Sequence, residues 1–336
     1  MKKVTINDIA KKLGTTPSTV SRALADNKRV SLKTRELVKK VAKEMGYQPN
    51  LMAASLRKGK SDLIGMIVPI INRHFFSNVI SGVEEVFNPE GYSLLIMQSQ
   101  ERVDIEAKAV DSLLRNRVAG IIASLSAQTD DCLHFEKLGN EGVPLIQFDR
   151  ITKRLDGAKV VNDNYYGAYE ATKSLLKAGF KRVAHFGGSE LLEAYRERKR
   201  GYEDAVRDIC GEVDKSLMFS DVITREGGYK KIGEVINMKA DAVFCAGDYS
   251  AIGVIEGLKE LGINIGIDFG VSGFGNEPFA EMIYPTLSTV EQDGREMGRI
   301  VARQMINAIN GEVHNVEIVV PVKFIKRNSS GVYQNH

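Results

Sequence analysis

Residues 5–24, TINDIAKKLGTTPSTVSRAL, admit few folds. Ile6, Ile9, Ala10 and Leu13 recur at helical spacing and give a first short helix one apolar face. Gly14 follows, the residue best able to take the left-handed backbone that ends a helix. Thr16 then offers a side-chain oxygen as N-cap, and Pro17 stands at the first helical position, where its missing N–H costs nothing. A second helix therefore begins at about Pro17, with Val20, Ala23 and Leu24 turned inward and Ser18, Thr19, Ser21 and Arg22 outward near its start. A third helix over 32–45, capped by Ser31, is expected to pack Leu37, Val38, Val41 and Met45 behind the pair.

Two short helices joined by a turn, with polar side chains at the start of the second, make a shape that enters a DNA major groove. Charge supports this reading independently. Residues 1–60 hold 15 Lys or Arg against 4 Asp or Glu, whereas residues 61–336 hold 31 against 39. Positive charge is thus concentrated where the groove-reading helices lie, and neutralising phosphates supplies most nonspecific affinity for DNA.

From Asp62 onward, apolar runs alternate with amphipathic stretches. Residues 63–69, 93–98, 120–124, 144–148, 183–187, 242–246 and 269–274 read as buried strands. Helical patterns intervene at 76–87, 105–115, 166–178, 202–209, 250–261 and 295–309. Such alternation implies parallel sheets covered by helices, a doubly wound α/β arrangement. Its length is large for one sheet, so two subdomains are expected. Enzyme readings fare poorly. Cys132, Cys210 and Cys245 are isolated, the five His residues are scattered, and there is no C-x-x-C pair, G-x-S-x-G elbow or Walker loop. No metal site or cofactor is expected. The N-terminus lacks the apolar run of a signal peptide and no stretch approaches a membrane span, which points to the cytoplasm and away from an exported binding protein.

The stretches TINDIAKKLGTTPSTVSRAL, TRELVKKVAKEMGYQPN and AASLRKGKSDLIGMIVP together resemble the LacI/GalR family of bacterial transcription regulators, and the similarity runs to about Ser330. The resemblance implies a helix-turn-helix headpiece over 1–49, a hinge helix and linker over 50–61, and a core over 62–330 built like a periplasmic sugar-binding protein. A short tail, 331–336, would follow. The core would consist of two subdomains crossed by the chain near residues 162, 291 and 321, with the ligand in the cleft between them. Pro17, Ser18 and Arg22 would meet bases in the major groove, while Thr5, Thr16, Thr19, Ser21 and Asn50 would hold phosphates. The hinge segment 50–58 is too short to be a stable helix alone in water. In the family two such helices lie side by side in the minor groove; the matching wedge here is Leu56, and Ala53 is small enough to let them approach.

Carried over to this chain, Phe75, Phe76, Asp149, Arg198, Asp248 and Gln292 match positions that line the family's effector pocket, Arg198 by its place three residues before Gly201. Two departures bear on the ligand. Gly275 stands where sugar-binding members often have Asp, and Gly247 where many have Asn before Asp248. Losing two hydrogen-bonding side chains argues against a simple neutral hexose, because a site built to bond hydroxyls discriminates most there. A sugar derivative, a larger, anionic or phosphorylated ligand, a protein corepressor and a pocket without a ligand all stay open. Reading a pseudo-palindromic operator requires two headpieces, and the chain carries no heptads after VKFIKRNSSG, so a homodimer is expected. The expectation is a transcription regulator, a repressor of carbohydrate-related genes, with operator DNA and a small-molecule effector as partners and no membrane.

Overall fold

Caps and glycines divide residues 4–47 as their chemistry requires. In the computed structural model, residues 4–47, 61–312 and 315–331 are described. The chain forms two units, Met1–Ser61 and Asp62–His336.

In the first unit, helix α1 (Ile6–Leu13) opens with a capping box, Thr5 accepting from the Asp8 N–H while Asp8 reaches back to the Thr5 N–H, and it ends at Gly14 with φ 59°. Helix α2 (Pro17–Leu24) is capped by Thr16 with Pro17 at its first position, and α3 (Leu32–Glu44) by Ser31. Ile9, Ala10, Val20, Ala23, Val38, Val41 and Ala42 form their shared core. One expectation fails. Leu37 is 50% exposed, because the face of α3 that meets the other two helices passes through Val38, Val41 and Ala42.

The second unit has two lobes. The first carries a six-stranded parallel sheet in the order β11–β5–β4–β3–β1–β2, formed by β1 (Leu63–Val68), β2 (Ser93–Gln98), β3 (Ile121–Ala123), β4 (Leu145–Phe148), β5 (Lys159–Asn162) and β11 (Glu317–Val320). Helices α4 (His74–Glu90) and α12 (Gly294–Ile309) cover one face; α5 (Val103–Arg115) and α6 (Leu133–Glu141) cover the other. Side chains of β1 alternate between these cores, Ile64, Met66 and Val68 to one and Ile67 to the other, which is why the strand is apolar throughout.

The second lobe carries the parallel sheet β7–β6–β8–β9, from β6 (Val183–Phe186), β7 (Met218–Phe219), β8 (Ala242–Cys245) and β9 (Gly270–Ser272). It lies between α7 (Asn164–Lys177) with α8 (Glu193–Cys210) and α9 (Arg225–Asn237) with α10 (Asp248–Glu260). A short helix, α11 (Phe279–Met282), precedes an antiparallel pair of β10 (Thr289–Glu291) and β12 (Lys323–Ile325). The chain passes between lobes at 162–164, 291–294 and 320–323.

Several elements gave no sequence signal: β5, β10, β11 and β12, whose short runs include charged residues, the two-residue β7, and helices α6, α9 and α11. Helix α8 also begins at Glu193 rather than near Tyr202, since its first turns, EAYRERKR, are mostly charged. Helix α9 is interrupted by Gly227 and Gly228, which weaken a helical reading. Packing explains Gly228. A Cβ there would lie 2.2 Å from the Ser250 carbonyl oxygen, and one at Gly253 only 1.9 Å from that of Arg225, so these glycines let α9 and α10 touch backbone to backbone.

Candidate functional site

The start of α2 presents a polar surface. The Thr16 hydroxyl accepts from the Thr19 N–H at 3.2 Å and pairs with the hydroxyls of Ser18 and Thr19, each at 2.9 Å. Thr5 is likewise engaged, its hydroxyl donating to Asp8 at 2.7 Å. Pro17, Ser18 and Arg22 are exposed, while Thr19 and Ser21 are half-buried. Lys39 bonds Asp26 at 2.6 Å, whereas Lys11, Lys12, Arg22, Lys28 and Arg29 are exposed and form no ion pair among the described residues. Unpaired cations on one small unit are what a polyanion's surface recruits. Asn50, Ala53 and Leu56 lie outside the described residues.

The second site is assembled at the carboxyl ends of the core strands, where strand-to-helix loops of both lobes meet. Arg198 projects from α8 and is 7% exposed. Its Nε donates to Asn164 Oδ1 at 2.8 Å and its Nη1 to the Ala246 carbonyl at 2.7 Å, while the guanidinium lies 3.7 Å above the Phe274 ring. Asp248 opens α10 and is 1% exposed, accepting from the Thr289 hydroxyl at 2.6 Å and from the Glu277 N–H at 2.8 Å. Burial pushes its carboxyl up to about 6, against the pull of these two donors. Gln292 donates through Nε2 to Asn162 Oδ1 at 3.0 Å, and Asn162 returns a bond to the Gln292 carbonyl at 2.7 Å. Gly275 sits between these groups, its Cβ position 3.8 Å from both Asp248 Oδ2 and Gln292 Oε1. Arg198, Asp248 and Gln292 therefore border one space.

Asp149 follows β4 in left-handed backbone, φ 57°, and burial raises its carboxyl although Arg150 and Arg198 oppose this. It lines a cavity of about 390 Å³ together with Asn162, Asn164, Glu193, Glu197 and Lys153. Phe75 is half-buried beside Gly294, the first residue of α12. Phe76 goes elsewhere. It is buried within the first-lobe core, edge-on to Phe148 at 6.1 Å, because the helical turn of α4 points successive residues in different directions. The two rings that the sequence offered as a pair are thus a half-buried Phe75 resting on the first-lobe core and a fully packed Phe76, with centroids 5.3 Å apart.

Residues that the sequence did not single out complete the cleft. Asn162 and Asn164 hold Gln292 and Arg198 in place, and Tyr195 lies under Arg198 at 5.4 Å. Contacts also cross the cleft. The Arg73 guanidinium sits 3.7 Å over the Tyr249 ring, and Lys153 pairs with Glu193 at 3.0 Å. Their signal was absent from local pattern, since each partner lies more than thirty residues from the other.

Comparison with known proteins bears on both units. Residues 5–50 match the profile of the bacterial regulatory proteins of the lacI family, and residues 172–330 that of a periplasmic binding protein-like domain. The HTH-type transcriptional regulator RegA of Clostridium saccharobutylicum is 30% identical over 331 residues, covering 97% of this chain and 98% of RegA. Among solved structures, a lac repressor dimer bound to operator and an anti-inducer superposes with a TM-score of 0.86 at 22% identity, over 98% of this chain and 100% of that one. A transcriptional regulator CelR–cellobiose complex superposes at 0.73 with 26% identity, over 97% and 100%. With its capped helix-turn-helix, its two-lobed core and a relative similar along nearly the whole length, the chain belongs to the lacI family of bacterial regulatory proteins and is a DNA-binding transcription regulator, not an enzyme.

Proposed function

We propose that the protein is a homodimeric, cytoplasmic repressor of carbohydrate-related genes, whose affinity for a pseudo-palindromic operator is set by a small molecule in the interlobe cleft. The observation that carries this reading is the pairing, in one chain, of an exposed cationic reading helix with a cleft whose polar groups are buried and held in position. Pro17, Ser18 and Arg22 meet base edges; Thr5, Thr16, Thr19, Ser21 and Asn50 meet phosphates; Leu56, flanked by the small Ala53, wedges the minor groove. Phe75, Asp149, Arg198, Asp248 and Gln292 contact the effector. Cellobiose bound to the related CelR supports a sugar or sugar derivative as the ligand class. Among the described residues no helix is long and apolar enough to cross a membrane, and the relatives named above are transcription regulators, which supports the cytoplasm.

Effector in the cleft bears on the angle between lobes, and a hinge that folds only when two copies lie together converts that angle into DNA affinity. The test is selection of genomic fragments by the purified protein near physiological salt, with sequencing of what is retained. Enrichment of a pseudo-palindrome beside a few operons is expected, and retention without any enriched sequence, with or without added metabolites, rejects the reading.

A further inference from the structure

A cavity of about 240 Å³ lies within the second lobe alone, between α8 and the edge strand β7. No first-lobe residue lines it, and none of the residues assigned above to the effector. Of its lining side chains only His185 is buried, 2% exposed and stacked between Tyr202 and Phe244. The Phe244 carbonyl, 3.4 Å from Nδ1, can only accept, so the ring proton sits on Nδ1, and burial keeps the imidazole neutral. Nε2 is then a bare acceptor without a hydrogen-bond partner among the described residues. It faces Gly187, where a Cβ would stand 3.0 Å away, and Gly187 borders the same cavity. A buried acceptor with no donor is costly to keep.

Charges surround this acceptor unevenly. Tyr195, Lys199 and Glu203 follow one another at four-residue spacing and share one side of α8. The Lys199 ammonium is answered by Glu190 at 2.6 Å, and the two act on the His185 ring with opposite sign. Glu203, and Lys215 in the turn before β7, form no ion pair and no side-chain hydrogen bond among the described residues. One cavity is thus bordered by a carboxylate and an ammonium that do not neutralise each other. Tyr195, Met218 and Phe219 add apolar surface, and the Tyr195 ring packs so closely on Gly188 that a Cβ there would meet it at 2.6 Å.

From this we infer a second binding site, for a zwitterionic α-amino acid: its ammonium donates to His185 Nε2 and Glu203, its carboxylate meets Lys215 and Lys199, and its side chain lies against Met218 and Phe219. A simple anion leaves Nε2 and Glu203, both acceptors, without a donor. A neutral sugar can give a hydroxyl to Nε2 but neutralises neither Glu203 nor Lys215. The inference stands apart from the effector reading, since every residue it uses belongs to one lobe. The two sites still share α8: the Tyr195 ring borders this cavity and lies 5.4 Å from the Arg198 guanidinium of the cleft.

The experiment follows the nitrogen resonance of His185 Nε2 in full-length protein labelled at histidine, the signal being identified by its loss in H185Q. Each of the common L-amino acids is added in turn, and glucose and inorganic phosphate separately, to wild type, E203Q and K215M. At least one amino acid should move the resonance in a saturable way, because Nε2 gains a donor, while glucose and phosphate leave it in place. Glu203 is half-buried and Lys215 exposed, so both variants should fold, and the melting temperature without ligand checks that they do. Each variant should weaken the binding of that amino acid by about tenfold or more, the loss expected for a charged hydrogen-bond partner. No response to any amino acid, a response to glucose or phosphate alone, or unchanged affinity in either variant overturns the inference. An amino acid that stabilises the protein without moving the His185 signal binds elsewhere and also counts against it. Failure of this site leaves the effector cleft untouched, since none of the three substitutions falls on a residue assigned to it.

Discussion

The reading helix and the cleft are both polar sites, yet they are built in opposite ways. The reading surface comes from residues 5–22, consecutive in the chain, and its cation Arg22 stays in water. The cleft joins Asp149 to Asp248 across both lobes, and its cation Arg198 is buried and tied by two hydrogen bonds. A partner that brings dense charge of its own can be met by solvated side chains that order on contact. A small ligand offers few groups, so its site must be desolvated and positioned beforehand for each hydrogen bond to discriminate. Local sequence suffices for the first kind of site, and only long-range packing makes the second.

That contrast can be broken by substitutions that act on one region and not the other. The largest effect is expected for Gly253→Val, which forces a side chain against the α9 backbone; it should destabilise the core by about 3 kcal/mol or more, read by calorimetry, while the headpiece helices keep their own stability. A lowered headpiece stability in that variant would mean that the two units do not melt independently. Next comes Arg22→Ala, expected to cost about 1–3 kcal/mol of specific operator binding per protomer with the core transition unchanged. Full retention of discrimination against nonspecific DNA would move base reading off α2.

The core alone should respond to acid through His185, stacked between Tyr202 and Phe244 and held by burial down to about 4. Its folded pKa lies below the unfolded value of about 6.5, so the unfolded chain binds the proton first. Stability is therefore complete above about 6.5 and is lost as pH falls toward 4. The raised Asp248 carboxyl acts in the opposite direction over part of this range, so the check is a comparison: His185→Gln should flatten the pH dependence of the core melting temperature relative to wild type. An identical profile in the variant would remove His185 from the account. Thr16→Ala should cost the headpiece about 1 kcal/mol through its lost cap, seen as reduced helicity on heating. Smallest is Lys153→Met, which breaks an exposed cross-lobe pair and should change core stability by less than about 1 kcal/mol. A larger loss would show that this contact, and not the buried cluster, holds the lobes together.

The headpiece was legible because its determinants are close neighbours: Thr5, Gly14, Thr16, Pro17 and Ser31 act within a helical turn of themselves. Only Leu37 departed, since helical spacing admits it to either side of a three-helix interface and the crossing of the helices makes the choice. Core strands such as β1, β4, β6 and β8 were legible from apolar runs buried on both faces. The missed strands are either two residues long, as β7 is, or carry polar residues such as Lys159, Glu291, Glu317 and Lys323 that break an apolar run, and α9 was masked by glycines whose value lies in its contact with α10.

By itself, then, the sequence determined the helix-turn-helix, its excess of positive charge, the alternation of strands and helices and the absence of an enzyme's motifs, because each depends on neighbours or on composition. Tertiary structure decided that Phe75 rests beside Gly294 while Phe76 fills the core, that Asn162 and Asn164 hold Gln292 and Arg198, and that Gly228 and Gly253 let α9 and α10 touch. Those facts depend on strand order and on loops from two lobes converging at one edge. The burial of Arg198 and Asp248 is a property of that assembled place rather than of any stretch of chain.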